Sequence, residues 1–322
     1  MIKAANLDNI RAAVKRLGIV IIVFIAVCAF FGVLLPTFFT MANIQNILLT
    51  VSITGTLALG MTFAVISGGY DLSMGCGLTL SGVISGYLMT ILGAPDAAAI
   101  LASLVFGLVL GFANGFMITK MKLPPFIATL GSMMLCKGLS LIISEGKVYA
   151  VGASEHPVYT GLVKGSVIGN IPNAIVLFVI FAVISHLILT RTVFGKYVFA
   201  IGSNEEAVKL SGIDADKYRI YVYIAAGLCT GIGGILMAAR LTSVQPGLGS
   251  GYEMDAIAAT VLGGTPLSGG EGSILGTVLG VLTLTILLNG MRLMGIDTNW
   301  QTVMTGAVVV AAVFIDALKN KR

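Results

Sequence analysis

Ten apolar segments, near 17–35, 44–66, 72–92, 97–119, 125–144, 174–190, 218–239, 254–264, 272–290 and 300–316, occupy most of this 322-residue chain. In hydrocarbon every backbone N–H and C=O must find its hydrogen bond inside the protein, so spanning segments are helices or strands of a closed barrel. Most of these segments approach the ~20 residues that a helix needs to cross a bilayer, about twice the length of a barrel strand. Only 10% of residues are charged, against roughly 25% in soluble domains. The 41 glycines suit closely packed membrane helices, where small residues let backbones approach. The expected fold is therefore an all-α integral membrane protein of about ten transmembrane helices, one domain over 1–322. The eighth segment is short for a span and is expected to be tilted, broken or extended toward Tyr252.

Charge gives the orientation. The first apolar run follows Lys3, Arg11, Lys15 and Arg16, and it is longer than the core of a cleaved secretory signal, so it reads as a retained first span. With the N-terminus inside and the sides alternating, fourteen of the nineteen Lys and Arg fall inside. Those in inner loops are Lys120, Lys122, Arg191, Lys196, Lys209, Lys217 and Arg219, and Lys319, Lys321 and Arg322 end the chain. Lys137, Lys147, Lys164, Arg240 and Arg292 make up the remainder. The bias places both termini in the cytoplasm of a cell membrane. The net charge of +5 is thus a topology signal and not a nucleic-acid stripe.

The longest polar interval inside the chain, Arg191 to Arg219, holds nine of the 33 charged residues. It must sit in water and is too short to be a domain, so it reads as a docking surface. Within it EEAVKL favours a short helix, with Asn204 as N-cap, Glu205 and Glu206 in the first turn, and Gly212 as the stop. Neither GK pair, at 146–147 or 195–196, has the earlier glycine of a phosphate-binding loop, so the chain is expected to bind no nucleotide or other cofactor itself.

Polar residues inside spans are the other candidates. Asn46, Thr50, Ser52, Thr54 and Thr56 on span two either bond back to their own backbone or line a polar pathway. Lys137 inside span five is a functional candidate by position or a snorkelling side chain. Span two ends in a helix break with Gly68 and Gly69, after which Asp71 and Ser73 can cap the next helix. Span eight ends in Gly263, Gly264 and Ser268, and GGYDLS and GGTPLS share four of six residues. Spans two to five and seven to ten run in opposite directions, which suggests an inverted repeat, an arrangement that places solute pathways near the interface of the two halves. Gly111 and Gly115, and Gly272, Gly276 and Gly280, have GxxxG spacing and read as packing faces, and span seven carries Gly227 and Gly231. His156 and His186 read as solvated, the four cysteines as packing residues, and Glu253 and Asp255 as contacts to an outside partner or the hydrated start of span eight. No nucleophile–base set or metal cluster points to an enzyme.

Taken together, ISGGYDLSMG, PPFIATLG, AIGSNEEAVKLSGI and YEMDAIAATVLGGTPLSGGEGSILGT resemble the permease subunits of bacterial ABC sugar importers, closest to the ribose type and related to the branched-chain amino acid permeases. The resemblance covers nearly the whole chain in the same order. It implies a permease of the bacterial inner membrane that moves a small neutral sugar. Its implied partners are a cytoplasmic ATPase that hydrolyses the ATP, a periplasmic or lipid-anchored sugar-binding protein, and a second identical or related permease. It also implies that the ATPase meets Gly202, Asn204, Glu205, Glu206, Ala207, Leu210, Ser211, Gly212 and Ile213. Ser203 and Lys137 depart from the pattern, where relatives often carry Gly and commonly Arg, and Lys lacks the planar fork of Arg. The alternative from the residues alone is an ion-coupled secondary transporter of inverted-repeat type; a membrane scaffold would not need hydroxyl-rich spans. The orientation is open to cysteine labelling: residues within 145–173 are expected to react from the periplasmic side and position 209 only from the cytoplasmic side.

Overall fold

The computed structural model describes residues 2–320, with side chains described for 18–311, 313 and 314; the terminal basic residues that contribute to the orientation argument lie outside those described side chains. The helices are α1 (Ile2–Leu34), α2 (Met41–Ile66), α3 (Met74–Thr90), α4 (Asp96–Thr119), α5 (Pro125–Ser144), α6 (Pro157–Lys164), α7 (Asn173–Arg191), α8 (Val193–Ser203), α9 (Glu205–Leu210), α10 (Ala215–Leu241), α11 (Tyr252–Leu262), α12 (Ile274–Leu293) and α13 (Thr298–Asn320). A two-residue pair, β1 (Tyr149–Ala150) against β2 (Ser243–Val244), runs antiparallel. Each of the ten apolar segments coincides with a helix, and α6, α8 and α9 form in the polar intervals. Six helices, α2, α4, α5, α7, α10 and α12, are long and apolar enough to cross a membrane. The short eighth segment begins at Tyr252 as expected and stays short, at 11 residues.

The centre of the bundle is set by how closely backbones approach. A Cβ added to Gly107 would lie 2.4 Å from the Gly227 carbonyl oxygen, and one on Gly227 would lie 2.2 Å from that of Gly107. Gly111 meets the Tyr223 carbonyl at 2.2 Å and Gly231 that of Ser103 at 2.6 Å. So α4 and α10 cross in near backbone contact, the use of small residues expected between membrane helices. Gly276 and Gly280 do the same on α12 against Gly263 and Ala259, whereas Gly272 lies outside any helix. Around this crossing α2 is the most enclosed helix, 89% buried over its apolar window, and α7 lies at the edge, 17% buried.

Packing on one side of the chain has a counterpart on the other. The pair α4–α10 matches α2–α12, α3–α10 matches α2–α11, and α3–α5 matches α11–α13; α3–α4 and α4–α5 match α11–α12 and α12–α13. Connections gather at two opposite ends. At one lie α9, the end of α2 and the start of α10; at the other lie the β pair, the start of α2 and the starts of α11 and α13.

Both α2 and α11 end in the same turn. Gly68 N–H donates to Val65 and Gly69 N–H to Ala64, while Gly264 N–H donates to Val261 and Thr265 N–H to Thr260, the paired bonds of a Schellman cap. The residue in the left-handed region is Gly68 (φ +82°) in one and Gly264 (φ +90°) in the other. The backbone therefore aligns Gly68 with Gly264, one residue out of step with the GGYDLS–GGTPLS match. Those shared letters are not a structural correspondence.

Substitution at the crossing gives a direct test. Gly111→Ala is expected to cost about 1–3 kcal/mol, the usual penalty of overpacking, and to lower the melting temperature in detergent. Gly131→Ala, on the exposed side of α5 with no atom within 4 Å of its added Cβ, is expected to leave it unchanged.

Candidate functional site

The polar interval folds into a short helix held rigidly on one face. Asn204 Oδ1 accepts from the Ala207 N–H at 2.9 Å, as expected of an N-cap. Gly212, at φ +79°, donates to the Lys209 carbonyl and Ile213 to that of Val208, closing α9 with the same turn as α2. Glu205 accepts from Arg219 Nη2 at 2.7 Å and pairs with Lys209 Nζ at 2.6 Å. Arg219 reaches the Ser67 carbonyl at 3.4 Å with the same nitrogen. Val208 is buried against Ile201 and Ala215. Gly202 lies so close to the Ile66 carbonyl that a Cβ would stand 1.8 Å from it, and that carbonyl also accepts from Gly270 N–H at 2.9 Å. The opposite face of α9 is open: Glu206, Ala207 and Ser211 are exposed, and Leu210 is 90% exposed. The polar helix is thus clamped on one face and ends in a bare leucine on the other.

Beside this junction Asp71 is enclosed, 1% exposed. Its Oδ1 accepts from Ser73 N–H at 2.9 Å and from the Ser73 hydroxyl at 2.5 Å. Asn114 Nδ2 donates to Asp71 Oδ1 at 3.3 Å and to Ser73 Oγ at 2.9 Å, and Ser132 donates to Asn114 Oδ1 at 2.5 Å. The expectation that Ser73 caps α3 with its side chain is corrected, because its hydroxyl is spent on Asp71. The group ties α3 to α4 and α5. On the other break, Ser268 is exposed, and α12 is capped by Ser273, whose Oγ accepts from Gly276 N–H at 3.0 Å.

At the end opposite α9, a cavity of about 590 Å³ opens between α2, α11, α12 and α13. Of the residues expected to line a pathway, Thr50 and Thr54 face it. Ser52 and Thr56 are buried, and their hydroxyls donate to Leu48 and Ser52 carbonyls at 2.8 and 2.7 Å. Asn46 Oδ1 and Thr50 Oγ1 accept from Arg240 at 2.7 and 3.0 Å. Lys137 is exposed on α5 and does not line the cavity.

The cavity also holds charge that the sequence reading assigned elsewhere. Asp255 from α11 and Arg292 from α12 line it, with Asn289 and Thr285 below Arg292 and Thr298, Gln301 and Thr305 on α13. Glu253 and Asp255 are not a hydrated surface: Glu253 is buried, accepting from Gly251 N–H at 3.2 Å, and Asp255 Oδ1 accepts from Thr305 at 3.2 Å. The signal was available, since 285, 289 and 292 and then 298, 301 and 305 each share one helical face. His156 is corrected likewise, with its Nδ1 2.7 Å from Asp96 Oδ1 and little exposure. His186 has a buried Nδ1 without a partner in place of the solvated ring expected.

Burial alone would raise the Glu205 carboxyl, but hydrogen bonds and charge from Lys209 and Arg219 outweigh it and hold the group below its ordinary value. A depressed folded value means that the stabilisation is complete above the unfolded pKa and is lost as pH falls through the folded one. The mobility of a nitroxide spin label attached at Leu210→Cys is therefore expected to stay low at neutral pH and to rise as pH falls through the depressed Glu205 value. With Glu205→Gln added, the label is expected to be mobile at every pH.

Comparison with known proteins completes the picture. The chain is 40% identical over 305 residues to the ribose import permease protein of Bacillus subtilis (strain 168), covering 94% of this chain and 92% of the relative. It is 37% identical over 301 residues to the ribose import permease protein of Escherichia coli (strain K12), covering 93% of each. It is 35% identical over 297 residues to the D-allose transport system permease protein of Escherichia coli (strain K12), covering 92% of this chain and 90% of the relative. No solved structure matches the chain. The family described as branched-chain amino acid transport system / permease component matches residues 43–313. Spanning helices and this match agree, and the chain is a multi-pass membrane protein that belongs to the branched-chain amino acid transport system / permease component family.

Proposed function

We propose that the chain is the permease subunit of an ATP-driven importer that carries a small neutral sugar inward, a transport subunit and not an enzyme. The observation that carries this reading is α9, fixed on one side by Glu205, Arg219 and Val208 and presenting Leu210, 90% exposed, on the other. An exposed leucine at the tip of a rigid helix fits a groove on a partner, and a clamped helix passes movement to the elements that hold it. The partner is a separate cytoplasmic ATPase, consistent with the missing phosphate-binding loop. The ribose and allose named by the relatives support a monosaccharide as cargo, delivered by a sugar-binding protein from the other side.

The finer architecture follows from the same reading: a single domain over 1–322 whose ten helices cross the bacterial inner membrane in two inverted halves, paired with a second identical or related permease. The matched helix packings support the repeat. The positive-charge bias supports cytoplasmic termini and a cytoplasmic α9. Gly202, Asn204 and Gly212 then shape the coupling element, Glu205 and Ile213 anchor it, and Glu206, Ala207, Leu210 and Ser211 form its contact face. For the pathway, Thr50 and Thr54 are favoured by their place on the cavity wall, with Asn46 acting through Arg240.

The test uses the assembled importer in vesicles with Leu210→Asp and Glu206→Arg combined, which spares the Glu205 clamp. Uptake is expected to fall at least tenfold at unchanged membrane abundance, and wild-type uptake is expected to require ATP and survive collapse of the proton gradient. A double variant that captures the ATPase and transports normally would reduce α9 to a connector.

A further inference from the structure

The pathway expected on span two is made of neutral residues, with Lys137 the one charged candidate, yet the cavity that Thr50 and Thr54 face is walled by a carboxylate and a guanidinium. Asp255 and Arg292 both face it, and each is held in place by α13. Thr305 Oγ1 donates to Asp255 Oδ1 at 3.2 Å. Gln301 Oε1 accepts from Arg292 Nη2 at 3.3 Å, while Gln301 Nε2 is spent on the Ile296 carbonyl at 3.1 Å. Gln301 is buried, so it acts as a fixed bracket for the Arg292 fork.

We propose that this cavity is a solute subsite of the permease for a neutral polyhydroxylated molecule of monosaccharide size, with Asp255 accepting from its hydroxyls and Arg292 donating to them. The proposal rests on the reading of the chain as a sugar permease and assigns where, within this chain, the sugar is sensed. An ionised carboxylate only accepts hydrogen bonds and a guanidinium only donates them. A hydroxyl does both, so adjacent hydroxyls on one small molecule can satisfy the two groups together. An anion would meet Asp255 and a cation would meet Arg292, each at the cost of bringing like charges together in a partly dry site. Behind the wall the balance is kept: Arg240 is committed to Asn46 and Thr50, and Glu253 to the Gly251 amide.

Size and shape agree. A volume of about 590 Å³ lies within the 300–1,000 Å³ common for small-molecule sites. Hydroxyls of Thr50, Thr54 and Thr302 add polar points to the wall, and Leu284, Leu288 and the Tyr252 side chain form an apolar part of it, which gives the C–H face of a sugar a surface to lie on. The site sits at the end away from α9, where a solute delivered from the far side arrives first. Fixed polar groups beside an apolar wall are the usual composition of a site that orients a ligand.

The experiment measures uptake by the assembled importer in vesicles, wild type against Asp255→Asn, Arg292→Gln and Thr302→Trp, the last placing bulk on the cavity wall. The probes are a panel of aldopentoses and aldohexoses with their monodeoxy analogues, all offered with the same sugar-binding protein, so that differences arise in the permease. Thr302→Trp is expected to lower uptake at least tenfold with ATP hydrolysis within twofold of wild type. In Asp255→Asn and Arg292→Gln, the penalty for removing one particular hydroxyl is expected to shrink at least fivefold while penalties at other positions persist. A merely structural role would lower all sugars alike. Equal uptake ratios in every variant, with Thr302→Trp transporting normally, would overturn the subsite and leave the permease reading intact. A wild-type complex that hydrolyses ATP and moves no neutral sugar would overturn both.

Discussion

The close crossing of α4 and α10 is the contact on which the rest of the bundle depends. With Gly107, Gly111, Gly227 and Gly231 at the crossing, the two helices meet backbone to backbone, and no other residue types would permit that spacing. In lipid there is little hydrophobic gain from bringing helices together, so packing contact must supply the association. The enclosed helix α2 then lies against α10, and its burial on nearly every side explains why its hydroxyls turn back on their own backbone. Ser52 and Thr56 have nowhere else to donate. Thr50 and Thr54 sit where α2 borders the cavity.

The same helix runs from the α9 junction to the cavity. Near its last turn, Ser67 receives Arg219, and Ile66 packs against Gly202 and bonds to Gly270. At its first turns, Asn46 and Thr50 receive Arg240. Both arginines belong to α10, one at each end, so α2 and α10 are pinned together as a unit by charged forks at both ends. Arg suits this task because its planar group donates to two acceptors in fixed geometry. A displacement of α9 that moved Arg219 would be felt first by the end of α2, and the other end of α2 is the wall of the cavity. The physical route from α9 to the cavity is one rod and two clamps.

Much of this was legible in the residues. Apolar length located ten of the described helices, and six of them are long and apolar enough to cross a membrane. The Asn204 cap and the Gly212 stop were readable, since capping depends on neighbours within a few residues. What failed was everything decided by partners distant in the chain. His156 bonds to a residue 60 positions away and Arg240 to one 194 positions away; no local pattern encodes either. The hexamer match misled for a related reason: identical letters fell one step out of register with the turn that the backbone forms. The cavity lay between these cases, because its polar stripes on α12 and α13 have ordinary helical spacing and required only that the rule used on span two be applied there.

Asp71 and Asp255 show why sequence position alone does not separate a structural carboxylate from a functional one. An ionisable group within membrane segments is a functional candidate by default, and that rule alone ranks Asp71, beside the helix break, and Asp255 alike. The structure surrounds it with donors from Ser73 and Asn114 and closes it from solvent, at 1% exposure. A carboxylate so supplied has its bonds made by the protein, and removing Asn114, which also reaches Asp71 Oδ2 at 3.4 Å, would leave that buried acceptor unpaired at a cost of about 1–3 kcal/mol. That is the energetics of a staple between α3, α4 and α5. Asp255 receives a hydroxyl from Thr305 and borders open volume, so part of its hydrogen-bonding capacity faces whatever enters the cavity. The distinction rests on who provides the donors, the fold or the solute.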